Sequence, residues 1–190
     1  MNEGKLIVVN GAAACGKTTI ALELTAALKK AGINAVYLPE AVRAVLEKRS
    51  ILGIEGALTR SEQTLVLLRQ LEREIRMKRL YEVVVTDNPL FSAVAYGGYS
   101  DERMEHELQR ASGADLVISV PFLNSEDSGD GVRLEQSEKE RLELHMVLDM
   151  YLEKHYEGLV MEAVRDASNG GYTDMKHLEC AVRAWLMAQE

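Results

Sequence analysis

The sequence predicts an α/β fold, a doubly wound parallel sheet of about five strands with helices on both faces. Short apolar segments of the kind buried in parallel sheets alternate with longer segments of helical apolar spacing along the chain. This alternation is typical of βαβ units, whose crossover helices cover the sheet. The length of 190 residues fits one domain, residues 1–190. Ligands of such folds bind at the carboxyl ends of the strands.

The predicted strands are rich in β-branched residues, and in the predicted helices apolar residues recur about once per turn. Gly32 ends the first helix, and Pro39 precedes the second. The predicted strands are 5–9, 34–38, 82–87 and 114–120, with a weaker one at 158–164. The predicted helices are 17–31, a short one after Pro39, 61–80, 101–112, 137–156 and 173–188.

The composition is that of a soluble globular protein, with 47% hydrophobic and 27% charged residues. No apolar segment reaches the roughly 18 residues of a membrane span, and the N-terminus lacks a signal-peptide pattern. We therefore expect a cytoplasmic protein. The net charge of −8 argues against general affinity for nucleic acids, although a local basic surface stays compatible with it.

A phosphate-binding motif lies between the first predicted strand and the first predicted helix. The P-loop pattern G-x-x-x-x-G-K-[ST] is matched by Gly11, Gly16, Lys17 and Thr18. The glycines let backbone N–H groups converge on phosphate oxygens, and the helix N-terminus adds partial positive charge. Lys17 is expected to reach the β- and γ-phosphates, and the Thr18 hydroxyl to bind Mg²⁺. The sequence thus predicts a P-loop NTPase. The predicted nucleotide-binding residues are Gly11, Ala12, Ala13, Ala14, Cys15, Gly16, Lys17, Thr18 and Thr19.

A P-loop binds a nucleotide but leaves the reaction open. The N-K-x-D motif expected of a GTP switch does not occur in the sequence. A mechanical ATPase usually needs a longer module with arginine fingers and subunit contacts. The compact chain therefore favours a kinase, which positions an acceptor hydroxyl and shields the transfer from water. A regulatory or assembly ATPase without a separate acceptor is the alternative from another class.

Four further segments follow the P-loop: LPEAVR (38–43), SEQTLVLLRQLEREI (61–75), TDNPLFSAVAY (86–96) and DGVR (130–133). Together they resemble the nicotinamide riboside kinase domain and related nucleoside and nucleotide kinases, often labelled AAA-type ATPases, over residues 5–160. The resemblance implies ATP- and Mg²⁺-dependent phosphorylation of a hydroxyl on a nucleoside, nucleotide or modified base. Similar phage-encoded kinases act on 5-hydroxymethyluracil in DNA, so DNA is a second candidate acceptor. A phage-encoded chain would work in the host cytoplasm.

Charged residues follow the second and third predicted strands. Asp87 ends the third strand, where a carboxylate can hold a Mg²⁺-bound water or accept the proton of the attacking hydroxyl. Relatives commonly have arginine next, whereas this chain has Asn88. Glu40 and Arg43 lie one helical turn apart, so Glu40 can bond the acceptor or act as base while Arg43 holds a phosphate. For Asp87 the alternative is a turn aspartate, and for Glu40 and Arg43 it is a surface ion pair. The general base is either Asp87 or Glu40.

A polar segment at 121–141 is predicted to form a lid. Arg133, helped by Arg141, would close over the γ-phosphate and stabilise charge during transfer, and a solvated loop is the alternative. Gln70 and Tyr96 are predicted to line the acceptor pocket, with buried polar packing as the alternative.

The helix at 61–80 has two predicted faces. Helical spacing puts Leu68, Leu71 and Ile75 on one face. The nearly opposite face carries Arg69, Arg73 and Arg76. Such an arginine strip suits a polyanionic acceptor such as DNA, and ordinary solvation is the alternative.

The sequence does not decide the oligomeric state, and a homodimer is among the options.

Overall fold

The computed structural model describes residues 3–12, 14–54, 56, 58–87, 113–122, 137–156, 158–166 and 172–189. The predicted helix at 101–112 lies outside these residues. The strands are β1 (Lys5–Asn10), β2 (Ala35–Leu38), β3 (Val83–Thr86), β4 (Leu116–Ser119), β5 (Leu159–Glu162), β6 (Arg165–Asp166) and β7 (Tyr172–Thr173). The helices are α1 (Lys17–Lys30), α2 (Ala41–Ile51), α3 (Arg60–Lys78), α4 (Glu138–His155) and α5 (Met175–Met187).

The main sheet has five strands in the order β2-β3-β1-β4-β5, and every neighbouring pair is parallel. The central strand is β1, in which Val8 pairs with Thr86 of β3 on one side and Val117 of β4 on the other. This arrangement confirms the predicted doubly wound sheet. The carboxyl end of β1 is therefore the position at which ligands of such sheets bind.

Helices cover both faces of the sheet. One core cluster joins alternate strand residues such as Ile7 and Val85 to Leu24 of α1 and Val182 of α5. The cluster on the opposite face joins the intervening strand residues to Leu148 and Leu152 of α4, with Met77 of α3 packed against it. The short β6 and β7 form a separate antiparallel pair that apolar spacing did not predict, since two-residue strands carry no periodicity.

The buried face of α3 differs from the apolar face that the sequence predicted. Leu68 and Ile75 are exposed and line an open groove with Leu71. The buried residues of α3 are Val66, Leu67, Gln70 and Glu74. Half of these are polar and hydrogen-bond to each other, so apolar spacing alone indicates the wrong face.

No helix in the described part of the chain is long and apolar enough to cross a membrane.

Candidate active site

The P-loop backbone requires small residues at two positions. Gly11 has φ of 154°, and a Cβ there would lie 2.8 Å from Cys15 Sγ and 2.9 Å from the Val120 carbonyl oxygen. Gly16 immediately precedes α1 and has φ of 87°, a conformation that favours glycine. The loop therefore packs closely against the residue that follows β4, and it turns sharply into the helix.

The N-terminus of α1 presents positive charge. Lys17 is the first residue of the helix, and its ammonium donates a 2.5 Å hydrogen bond to the Ala12 carbonyl, which holds it against the loop. The first turn contains no acidic residue, so the positive end of the helix dipole is not neutralised within the helix. Cys15 is buried in the core, so its side chain packs inside the protein. Backbone N–H groups and the ammonium thus converge where an anion would bind.

Asp87 lies beside the P-loop because β3 is the neighbour of β1. Its carboxylate is 1% exposed and accepts hydrogen bonds through both oxygens. The Thr18 hydroxyl donates to Oδ2, and the Tyr37 hydroxyl donates to Oδ1 at 3.0 Å. The structure therefore brings together the two side chains predicted to bind Mg²⁺.

Tyr37 connects this carboxylate to the residues that follow β2. Burial raises the pKa of the Tyr37 hydroxyl, and the negative charge of Asp87, their hydrogen bond and the charge of Glu40 raise it further. The Arg43 charge has the opposite effect on the pKa of Tyr37. The charges of Asp87, Glu40 and Arg43 thus all act on one hydroxyl, which stays protonated and able to donate at neutral pH.

Tyr37 is not among the site residues that the sequence predicts. It precedes the last residue of β2 and pairs with Val85 of β3, two residues before Asp87. A tyrosine beside a strand end was the available signal, but its value depends on β2 pairing with β3. That pairing joins segments far apart in the chain and leaves no local pattern.

Gln70 is buried between helices α2 and α3. Its side chain is 2% exposed, and its amide is used within the protein. The carbonyl oxygen accepts a hydrogen bond from the Ala41 N–H at 3.1 Å, and the amide nitrogen donates to Glu74 at 2.8 Å. Gln70 therefore takes part in the packing between α2 and α3, as the alternative of buried polar packing predicts.

Three predicted site residues lie outside the described part of the chain: Ala13, Tyr96 and Arg133. Most of the predicted lid lies there too. The two ends of the predicted lid are described. Arg141, at one end, lies on α4 and is 2% exposed, and its guanidinium carbon is 5.7 Å from the centre of the ring of Phe122, at the other end. This burial excludes the alternative of a solvated surface arginine.

The predicted arginine strip on α3 is not uniform. Arg73 is partly buried and donates a 2.9 Å hydrogen bond to the Pro39 carbonyl. Arg76 lines the open groove beside Ile75. Arg69 is exposed. One member of the strip thus contacts the segment that carries Glu40, whereas the others face outwards.

Thr18 and Asp87 fit Mg²⁺ chemically. Mg²⁺ prefers oxygen ligands, and this hydroxyl and carboxylate are already in contact at the end of the P-loop. In nucleotide sites Mg²⁺ usually keeps waters and takes phosphate oxygens, so one or two protein ligands suffice. Among the described residues, no group of three or more His, Cys, Asp or Glu side chains could hold another metal.

A P-loop after the central strand of a parallel sheet, with a hydroxyl–carboxylate pair beside it, defines the chain as a P-loop NTPase. The AAA domain family matches residues 6–168, and the chain belongs to that family. No curated protein sequence matches the chain.

Solved structures of similar fold include kinases. Thymidylate kinase from Ehrlichia chaffeensis superposes with a TM-score of 0.63 at 17% identity, over 97% of this chain and 100% of that chain. The NadR protein in complex with NR superposes with a TM-score of 0.68 at 20% identity, over 96% of this chain and 52% of that chain. The chain thus spans about half the length of NadR. These similarities confirm the predicted resemblance to P-loop nucleoside and nucleotide kinases.

Proposed function

We propose that the protein is a kinase that transfers the γ-phosphoryl group of ATP to a hydroxyl of a nucleoside, nucleotide or modified base. The supporting observation is the pairing of two groups of residues at adjacent strand ends. Thr18 and Asp87 lie at the P-loop, Tyr37 donates a hydrogen bond to Asp87, and the charges of Glu40 and Arg43 act on the same Tyr37 hydroxyl. An ATPase without an acceptor needs the first group alone, so the second group favours a kinase.

In the proposed reaction, the acceptor oxygen bonds to the γ-phosphorus while the bond to the β–γ bridging oxygen breaks and ADP leaves. Lys17 and the loop N–H groups hold the donor phosphates. Thr18 and Asp87 would hold Mg²⁺, and the charge of the ion would neutralise phosphate charge. Arg133 keeps its predicted role over the γ-phosphate, and Tyr96 its role at the acceptor.

The hydrogen bonds that Asp87 accepts support Glu40, and not Asp87, as the general base. Both Asp87 oxygens accept hydrogen bonds from hydroxyls, one of them the predicted metal ligand Thr18, so this carboxylate serves the nucleotide side. Glu40 lies one strand further from the P-loop and receives the proton of the acceptor hydroxyl in this proposal. Arg43 then holds an acceptor phosphate or the carboxylate itself.

The test is transfer of label from γ-labelled ATP to panels of nucleosides, nucleotides and DNA containing 5-hydroxymethyluracil. Label in one acceptor class supports the kinase, and the panel identifies the acceptor. Lys17→Ala should abolish transfer, whereas Lys29→Ala, an exposed lysine in the last turn of the same helix, should leave it intact. Label found in inorganic phosphate alone would overturn the proposal in favour of an ATPase.

A further inference from the structure

The segment that carries Glu40 starts a helix without a conventional cap. Glu40 is the N-cap residue of α2, and its side chain makes no capping hydrogen bond. The first N–H groups of a helix have no partner within the helix, so Ala41 must donate its N–H elsewhere. The direction in which Glu40 points therefore depends on contacts from outside α2.

Helix α3 supplies those contacts on both sides of Glu40. Arg73 donates a 2.9 Å hydrogen bond to the Pro39 carbonyl, directly before Glu40. Gln70 accepts a 3.1 Å hydrogen bond from the Ala41 N–H, directly after it. The two α3 residues are about one helical turn apart, so one rigid surface holds both flanking peptide groups.

A buried carboxyl group fixes which way the Gln70 amide faces. Glu74 is 2% exposed, and its Oε1 accepts the Gln70 amide hydrogen at 2.8 Å, which leaves the Gln70 oxygen directed at Ala41. The end of β2 is held in the same region, because the Thr86 hydroxyl donates to the Leu38 carbonyl at 3.0 Å. Polar groups at buried positions are costly without partners, so this arrangement resists slippage.

We propose that Gln70 and Arg73 are positioning residues that hold Glu40 in line with the acceptor hydroxyl, and that Glu74 sets the orientation of Gln70. This inference rests on the proposed role of Glu40 as base. Neither Gln70 nor Arg73 touches the substrate in this proposal. Their loss should slow the chemical step while ATP binding is kept, because a displacement of about 1 Å at a reacting group can cost about 100-fold in rate.

The kinetic test compares Arg73→Gln with Arg79→Gln, an exposed arginine just beyond the end of α3. Arg73→Gln should lower kcat for the acceptor at least about tenfold with little change in the KM for ATP. Glu74→Leu should do the same, whereas Glu74→Gln keeps an acceptor for the Gln70 amide and should restore most of kcat. Equal kcat in both arginine variants would overturn the positioning role.

Hydrogen exchange at Ala41 and Val42 gives a readout that needs no activity. Gln70→Leu and Arg73→Gln should speed exchange of these amides, whereas Arg79→Gln should not. Unchanged exchange in both would overturn the inference whatever the acceptor is. If exchange speeds up but the wild-type protein labels only inorganic phosphate, the kinase function fails and the contacts around Glu40 stand.

Discussion

Asp87 is the buried carboxylate that the proposed function assigns to Mg²⁺ beside the P-loop. We expect Asp87→Asn to reduce transfer about 100-fold or more, because the neutral amide is a weaker Mg²⁺ ligand and its NH₂ group cannot accept a hydrogen bond in place of the second carboxylate oxygen. ATP binding should stay measurable, since Lys17 and the loop N–H groups are unchanged. The rate is measured as a function of Mg²⁺ concentration, and an unchanged rate with unchanged Mg²⁺ dependence would remove Asp87 from the site.

The role of the Tyr37 hydroxyl can be tested by comparing Tyr37→Phe with Tyr156→Phe, which removes a hydroxyl elsewhere in the protein. Tyr37→Phe removes the 3.0 Å hydrogen bond to Asp87, and Tyr156→Phe removes a 3.2 Å hydrogen bond to the Ala114 carbonyl, whose segment leads into β4 at its amino end. Both should lower the free energy of unfolding by about 1–2 kcal/mol. The Tyr37 variant alone should also lower kcat, because the carboxylate loses a fixed partner. Equal activity in the two variants would argue that Tyr37 is only structural.

The role of a site residue could be predicted from the sequence where it depended only on the residue's position in one strand end or in the P-loop. Asp87 and Thr18 were assigned to the metal from their positions after a strand and within the P-loop, and the structure brings them into contact. The packing of Gln70 could not be assigned in this way, because its partner Ala41 becomes a neighbour only when α2 packs on α3. A buried glutamine and a pocket glutamine look the same in a sequence.

At the scale of the element, α3 carries a buried acid that makes stability depend on pH. Burial raises the pKa of Glu74 from 4.5 to about 8, although Gln70, Lys78 and Arg73 each act to lower it. The folded protein therefore keeps a proton that the unfolded chain releases between these two values. Unfolding in this window releases protons, so stability falls as pH rises through it.

The substitution Glu74→Gln tests whether stability falls as pH rises because of Glu74. The amide keeps an oxygen for Gln70 and cannot ionise, so the variant should lose less stability than the wild type between about pH 5 and pH 8, with a difference on the order of a few kcal/mol. Urea unfolding at several pH values measures it. Glu72→Gln, an exposed acid on the same helix, is the control and should follow the wild type. Parallel curves for wild type and Glu74→Gln would contradict the assignment.

The sequence predicts the starts of some helices from local capping motifs and lacks such a motif for others. The long α3 and α4 begin with capping boxes, Thr59 with Glu62 and Ser137 with Glu140, and their predicted starts agree within about two residues with the structure. The start of α2 has no such local signal, since Gln70 satisfies its first N–H from another helix. For α2 the local signal is thus the preceding Pro39, whereas the capping contact comes from another helix.

For the whole molecule, the fold was predictable because each strand and each helix of a doubly wound sheet has its own apolar pattern, and the P-loop fixes which strand is central. The pairing of β2 with β3 was not predictable, and it is this pairing that brings Tyr37 to Asp87 and puts Glu40 at the neighbouring strand end. The acceptor half of the site therefore needed the structure, whereas the donor half did not.

The charge of the whole molecule bears on the acceptor. A net charge of −8 opposes approach to a polyanion, and of the α3 arginines Arg73 is engaged with Pro39, which leaves Arg69 and Arg76 facing outwards. We therefore expect faster transfer to a free 5-hydroxymethylated nucleoside than to the same base in duplex DNA. Rates are compared at about 50 and about 200 mM salt, because binding through phosphates weakens steeply over that range. Transfer that is faster to DNA and falls steeply with salt, and that Arg69→Gln with Arg76→Gln weakens, would establish the DNA acceptor instead.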